Sequence, residues 1–371
     1  MANVLTANGP RQLGFRREDH ERPLEPGEIR LRSLLSGVSH GTEMNLYRGT
    51  SPFEDRTFDT DLRAFVPGDA THASYPRKLG YEMVSHVVEV GSGVDRVAPG
   101  DLVHTGTPHQ DKTIVQLNGI SDFGYPLAVL PAGGDPRPGL FVSLGSVALQ
   151  AVHDALIKVG DTVAVSGLGA IGLLVVQLAA RNGADSIIGL DPLPARRDLA
   201  ASLGAATVLD PTDAPAVGAM VKQANDGRGV DTAIETSGIA AGLHGAIASV
   251  TVGGRVVSVG FYQGDALGLR LGEEWHHNRP TMVSSMGVWG CPHRDHPAWD
   301  RQRLTDTVVQ LLYRGTLQTA QLISEIVAFE NAVEAYGMID TNGPGVLRVG
   351  LAYPGSEKLI SEGEEPSDGV D

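Results

Sequence analysis

The chain has 371 residues, 42% of them hydrophobic, enough for two domains with their own cores, and its 47 glycines and 22 prolines imply many turns. A formal charge of −15 argues against nucleic acid or an anionic membrane as partner, and no apolar run approaches the roughly 20 residues a transmembrane helix needs. The first residues lack a basic region followed by an apolar core, so a cytoplasmic address is expected; Cys291 is the only cysteine, which excludes an internal disulfide and any multi-cysteine zinc site.

From residue 1 to about 140, short alternating runs such as 28–35 and 82–90, then V-G-S-G-V-D-R-V-A-P-G-D-L-V from Val90 with its turn-forming Gly and Pro, predict a mostly β half. The stretch 51–77 has no clear periodicity and several charges, which suits a long surface excursion able to cover a site.

The stretch 162–172, T-V-A-V-S-G-L-G-A-I-G, reads as a buried strand running into a G-x-G-x-x-G turn and a helix. Gly167, Gly169 and Gly172 suit a tight turn, a close backbone approach to a pyrophosphate and close helix–strand packing. Ala170 and Ile171 open the helix whose N-terminus would hold the phosphates. That helix extends to about Arg181, Gly183 can end it, and a strand at 187–190 delivers Asp191 where an acid meets the ribose hydroxyls. A carboxylate accepts from a 2′-hydroxyl and repels a 2′-phosphate, so NAD is expected rather than NADP. Arg196 and Arg197 leave an alternative open: they pair with a phosphate, or they are the exposed first turn of the next helix.

From about 159 to 285, apolar runs alternate with helical stretches in the βαβ rhythm of a doubly wound parallel sheet. Strands are predicted at 162–166, 187–190, 207–209, 232–236, 255–259 and 281–285, with the clearest helices at 214–225 and 242–250. Ligands bind at the carboxyl ends of such strands. Thr236, Ser237, Gly238, Val259, Gly260 and Phe261 therefore line a cofactor cleft, or are the small-residue turns that any such fold needs. His276, His277 and Arg279, before the last strand, are substrate ligands or backbone-bonded loop residues. Trp275 and Trp289 suit an apolar wall or subunit packing. The acidic segment from Pro354 onward reads as disordered, and no internal repeat is visible.

A β half carrying V-x-x-V-x-P-G-D-x-V (94–103), followed by G-x-G-x-x-G near mid-chain, resembles the medium-chain dehydrogenase/reductase superfamily over nearly the whole length. The segments S-G-V-S-H-G-T-E-M-N-L-Y-R-G (36–49), L-G-Y-E (79–82), P-H-Q (108–110) and H-H-N-R (276–279) are similar to its bacteriochlorophyllide dehydrogenase-like branch. The resemblance implies an α/β protein with a GroES-like, mostly β catalytic domain from 1–150 and 290–355 and a Rossmann NAD-binding domain at 151–289, which leaves 356–371 as the disordered acidic tail read from composition. It also implies homodimers or homotetramers paired through Rossmann edge strands.

Zinc-dependent members of that family hold the metal with a Cys in S-G-V-C-G-T-D, a His in G-H-E, and a Cys or acid before the linking helix. Here those places fall to Ser39 or His40, to Tyr81 and to Val147, and the four-cysteine lobe is absent. A hydroxyl, a phenol and an isopropyl group do not replace thiolate and imidazole in a tetrahedral site, so no zinc is expected; His40, Glu82 and His109 are left as a chance cluster. Without a metal, side chains must accept the proton and steady the developing alkoxide. The resemblance offers His40 as base, relay or pyrophosphate ligand, Tyr81 as a donor to the substrate oxygen, Glu82 as a carboxylate orienting them, and Thr42 as the hydroxyl that passes the proton onward. It places His109 and Gln110 at the substrate, and Arg348 in G-V-L-R-V-G-L at the pyrophosphate or at a solvated strand edge. His153 is expected in packing. The activity implied is NAD-dependent, zinc-independent interconversion of a secondary alcohol and a ketone on a polar, polyhydroxylated or cyclic small molecule. The alternatives are an NADPH-dependent enoyl or quinone reductase and a catalytically silent NAD-binding protein.

Overall fold

Two sheets organise the chain, and a cleft lies between them. The computed structural model describes residues 1–54, 56–67, 75–117, 125–212, 216–262, 264–287 and 298–360. Trp289, Cys291 and the acidic segment beyond 360 lie outside the described residues.

The first sheet has seven strands. Its spine is Glu28–Val38, whose alternating residues are buried, flanked by Met83–Val90 on one side and by Val349–Ala352, from the far end of the chain, on the other. Glu325–Ala328 extends it beyond Val349–Ala352, and Leu102–Thr105 beyond Met83–Val90. The turn between Met83–Val90 and Leu102–Thr105 follows from the V-x-P-G-D signature: Gly100 has φ +97°, and the Asp101 carboxylate accepts the Ala98 N–H at 2.8 Å. A separate three-stranded sheet joins Gln12–Glu18, Ala2–Gly9 and Arg77–Lys78.

The second sheet is six-stranded and parallel throughout, in the order Thr207–Leu209, Ser186–Leu190, Thr162–Ser166, Val230–Glu235, Val250–Ser258, Thr281–Ser284. This is the doubly wound sheet expected, with the fifth strand beginning at Val250 rather than 255 because Val250 pairs with Val230 ahead of a register shift. Val163, Val165, Ile187, Ile234 and Val257 are almost fully buried between its covering helices, each contributing about 1.5–3 kcal/mol of apolar burial. The expected helices are Val217–Ala224 and Ala240–Ser249, the second passing directly into the fifth strand. Helix Val142–Ala155 links the two halves, packing against both Ala170–Arg181 and Arg301–Tyr313.

The aperiodic stretch 51–77 contains a short antiparallel hairpin, Arg56–Asp59 with Ala64–Pro67, whose four-residue strands give too few alternations to register in the sequence. Phe53 beside it meets Phe65 at 5.5 Å and, across the cleft, Phe261 at 6.3 Å. No helix among the described residues is long and apolar enough to cross a membrane.

Candidate active site

The carboxyl ends of the parallel strands open into a cavity of about 1380 Å³ that continues to the edge of the first sheet. At its dinucleotide end, Gly167 has φ +88°, and a Cβ there would lie 2.7 Å from the Ser237 nitrogen; a Cβ on Gly172 would lie 1.9 Å from the Gly167 carbonyl oxygen. Both positions therefore require glycine. A Cβ on Gly169 would meet nothing within 4 Å, so this glycine leaves open space over the start of helix Ala170–Arg181, and no side chain caps that helix. Uncapped amides at the positive end of a twelve-residue helix suit a pyrophosphate.

Asp191 ends its strand with a carboxylate on the cavity that is 3% exposed; Oδ2 accepts the Leu168 N–H at 2.8 Å and Oδ1 the Leu193 N–H at 2.9 Å. These bonds fix its orientation and leave further lone pairs for ribose hydroxyls. The two arginines divide. Arg197 donates to the Asp191 and Pro192 carbonyls and pairs with Asp210 at 3.0 Å, whereas Arg196 lines the cavity 3.7 Å from Asp191.

Thr236, Val259, Gly260 and Phe261 line the same end, together with Ser237 and Gly238, Ala170 and Ile171. The Thr236 hydroxyl donates to the Gly167 carbonyl at 2.6 Å, tying the glycine turn to the neighbouring strand end. Beneath these turns lies a carboxylate that the sequence did not flag. Glu235, fully buried, accepts from the Ser237 N–H at 2.7 Å, from the Ser237 hydroxyl and from the Tyr262 hydroxyl, so it clamps the 236–238 and 259–262 turns together. Its only sequence sign is an acid closing the strand after the apolar pair Ala233–Ile234. Glu235→Ala would remove the acceptor that the Ser237 and Tyr262 donors share and release the two turns from each other. We expect NADH affinity to fall roughly tenfold or more, read by quenching of protein fluorescence, with the reactive end untouched.

At the other end, Ser39, His40, Thr42, Tyr81, Tyr125 and Val147 face the cavity. The Tyr81 hydroxyl donates to Ser39 Oγ at 2.7 Å, and the Tyr81 ring stacks on Tyr125 with centroids 5.9 Å apart and planes 11° apart. Burial, then the Glu43 carboxylate, push the Tyr81 phenol above its ordinary value, so it is a proton-bearing donor at every physiological pH. His40 is half-buried and its Nε2 has no hydrogen-bond partner; burial first, then the Arg348 and Arg196 cations, draw it down to about 4. Its imidazole is neutral at pH 7.

Other expected residues sit elsewhere. Glu82 is fully buried and off the cavity, accepting the Ser143 N–H at 2.7 Å and standing 3.5 Å from both His104 and Arg348. His109 is fully buried too, bonded to Glu43 at 2.9 Å and Ser36 at 2.8 Å. Gln110 points into the same interior, where it bridges to Val4, so P-H-Q does not reach the cavity wall. Arg348 is 1% exposed, not solvated: it donates to the Val38 and Leu140 carbonyls at 2.9 and 2.8 Å, with part of its surface on the cavity. His276, His277 and Arg279 lie at or beside the short helix Glu274–Asn278, off the cavity, with His277 Nδ1 2.9 Å from the Glu273 carbonyl. Trp275 packs against the parallel sheet's core and His153 against Trp299.

A catalytic zinc does not fit these side chains. Tyr81 is engaged with Ser39, Val147 offers no donor, and His40, Glu82 and His109 do not converge. Among the described residues the one group of three potential ligands is His244, Glu273 and Glu274, away from the cavity and with the Arg270 guanidinium 3.3 Å from both His244 and Glu273.

Residues 170–299 match the zinc-binding dehydrogenase family and residues 57–134 the alcohol dehydrogenase GroES-like domain. The chain is 33% identical to the D-guloside 3-dehydrogenase of Escherichia coli (strain K12) over 357 residues, covering 94% of this chain and 99% of that one. It is 28% identical to the (R,R)-butanediol dehydrogenase of Bacillus subtilis (strain 168), covering 87% and 92%. A zinc-binding dehydrogenase of Sinorhizobium meliloti 1021 solved with NADP bound superposes with a TM-score of 0.74 at 21% identity, over 95% of this chain and 99% of that one. Fold and relatives together define an oxidoreductase of the alcohol dehydrogenase type. The chain belongs to the medium-chain dehydrogenase/reductase superfamily, whose members bind nicotinamide cofactors.

Proposed function

We propose that this protein is an NAD-dependent, zinc-independent dehydrogenase that interconverts a secondary alcohol and a ketone on a sugar or other polyol. The observation that carries this reading is one cavity with two chemistries: an uncapped helix N-terminus and Asp191 at one end, the Ser39–Tyr81 hydroxyl pair and a neutral His40 at the other. Gly167, Gly169, Gly172, Asp191 and the Glu235-clamped turns would hold the cofactor, which when bound supplies the hydride acceptor. Ser39, fixed by the hydrogen bond it accepts from Tyr81, orients the substrate oxygen with its own hydroxyl proton. His40, which lines the cavity, takes the hydroxyl proton as the carbonyl forms, and returns it in the reverse direction. The hydroxyl-rich pocket and the guloside-oxidising relative both support a polyhydroxylated substrate. The same reading takes 1–150 with 290–355 as the catalytic domain and 151–289 as the cofactor domain, in a homodimer or homotetramer.

The test is nicotinamide absorbance with chelator-treated protein, offering NAD with D-gulosides and polyols in one arm and NADPH with enones in another. Reduction of NAD by an alcohol is the expected result. Turnover of enones with NADPH alone would make the protein a reductase, and NADH binding without any turnover would make it a silent cofactor-binding protein.

His40 also sets a pH dependence. Its value of about 4 lies below the ordinary 6.5, so folding favours the neutral imidazole; that contribution to stability is complete above pH 6.5 and lost as pH falls through 4. Wild-type protein is therefore expected to lose stability more steeply than His40→Ala between those limits in denaturant titrations. The acid limb of kcat/KM should fall near 4; a limb centred on 6.5 would remove His40 as the base.

A further inference from the structure

The reactive end is supported by a polar network that touches neither cavity nor solvent. Glu43, in the first turn of helix Thr42–Arg48, is fully buried with both carboxylate oxygens in use. Oε1 accepts the Ser39 N–H at 2.8 Å; Oε2 accepts the Tyr336 hydroxyl at 2.6 Å and lies 2.9 Å from His109 Nε2. Behind it, His109 Nδ1 meets the Ser36 hydroxyl at 2.8 Å, and Ser36 meets the Tyr353 hydroxyl at 2.9 Å. The His109 main chain is fixed as well, its N–H donating to the Leu79 carbonyl at 2.7 Å and its carbonyl accepting from Leu5 at 2.9 Å.

We infer that Glu43, braced by His109, is the positioning residue that holds Ser39 and through it the Tyr81 hydroxyl in register at the reactive end. This rests on the dehydrogenase reading above. Ser39 is gripped from two sides: Glu43 fixes its backbone and Tyr81 bonds its side chain. Folding the 39–41 loop back onto the first helical turn leaves Ser39 Oγ little freedom. The bracing groups come from four other places, the strand at Ser36, the loop at His109, helix Ala332–Asn342 and the segment after Val349–Ala352, so the loop is referenced to elements from both ends of the chain. Burying a carboxylate is costly, and an apolar core would be at least as stable. Burial raises the Glu43 carboxyl, yet the His109 charge and the three hydrogen bonds outweigh it and keep it ionised. What the network adds is geometry. In a site without a metal to anchor the donor groups, a misplacement of about 1 Å costs on the order of a hundredfold in rate.

The experiment compares Glu43→Gln, His109→Gln, Tyr81→Phe and the Glu43→Gln/Tyr81→Phe double variant in three readouts: NADH binding, kcat and KM with NAD and a D-guloside, and hydrogen exchange of the Ser39 amide in the free protein. Glu43→Gln is expected to lower kcat at least tenfold with NADH affinity within twofold of wild type, and to speed exchange at Ser39. The double variant should be no slower than Tyr81→Phe alone, because one lost alignment cannot be lost twice. His109→Gln keeps the carboxylate and should give a smaller fall in the same direction, which preserves the test should Glu43→Gln not fold. Wild-type kcat in Glu43→Gln beside an impaired Tyr81→Phe, or fully additive losses, would overturn the positioning role and leave the Tyr81 reading intact. A Tyr81→Phe variant at the wild-type rate would overturn both.

Discussion

Tyr81→Phe should lower kcat by about 10²–10³-fold while leaving NADH affinity within twofold of wild type, the cost expected when the hydrogen bond that preorganises the Ser39 donor to a developing oxyanion is removed. The substitution is clean for a structural reason. The ring that stacks on Tyr125 is retained, so the cavity wall keeps its shape and only the hydroxyl on Ser39 Oγ goes. Because burial holds the phenol protonated, its part is that of a donor rather than a base, and its loss should lower kcat without shifting the acid limb that belongs to His40. Ser39→Ala should reproduce part of the effect by freeing the Tyr81 hydroxyl to wander. Steady-state kinetics with NAD and a D-guloside, alongside NADH titration of both variants, decide it. Equal losses in kcat and in cofactor affinity would mean that Tyr81 supports the fold of the cleft instead.

The contrast between what the sequence revealed and what it hid follows the range of the interactions. The glycine turn was legible because its constraints are largely local: Gly167 is dictated by its own φ of +88° and Gly172 by the Gly167 carbonyl, and Asp191 sits one strand further along the same βαβ unit. Tyr81 and Val147 were legible as departures from a pattern of metal ligands. Glu43–His109 was not, since its partners lie 66 residues apart and the bond exists only once helix Thr42–Arg48 and the loop at His109 are brought together. For the same reason P-H-Q does not announce that it faces the core: His109 and Gln110 are buried there, beside a bridge from Gln110 to Val4 more than a hundred residues earlier. Glu235 was hidden by its setting: nothing about an acid at a strand end announces that its oxygens accept from the turn that follows and from Tyr262 further on.

Cofactor choice is where local reading and tertiary structure pull in different directions, and Asp191→Ala tests it. Asp191 favours a ribose bearing a free 2′-hydroxyl, while Arg196, on the cavity 3.7 Å away, would welcome a phosphate. The proposal of NAD has the carboxylate dominate because it is locked by two backbone N–H groups, whereas Arg196 is pinned loosely, reaching the Val346 carbonyl at 3.4 Å. Removing the acid deletes the ribose acceptor and releases the guanidinium beside it at once. The ratio of kcat/KM for NAD over NADP should therefore fall by about 10²-fold, a few kcal/mol of combined loss and gain. Asp191→Ala/Arg196→Ala should lose the NADP gain while keeping the NAD loss, since the gain needs the cation and the loss does not. An unchanged ratio in Asp191→Ala would mean that selectivity is set elsewhere in the cleft, and the proposal of NAD would fall with it.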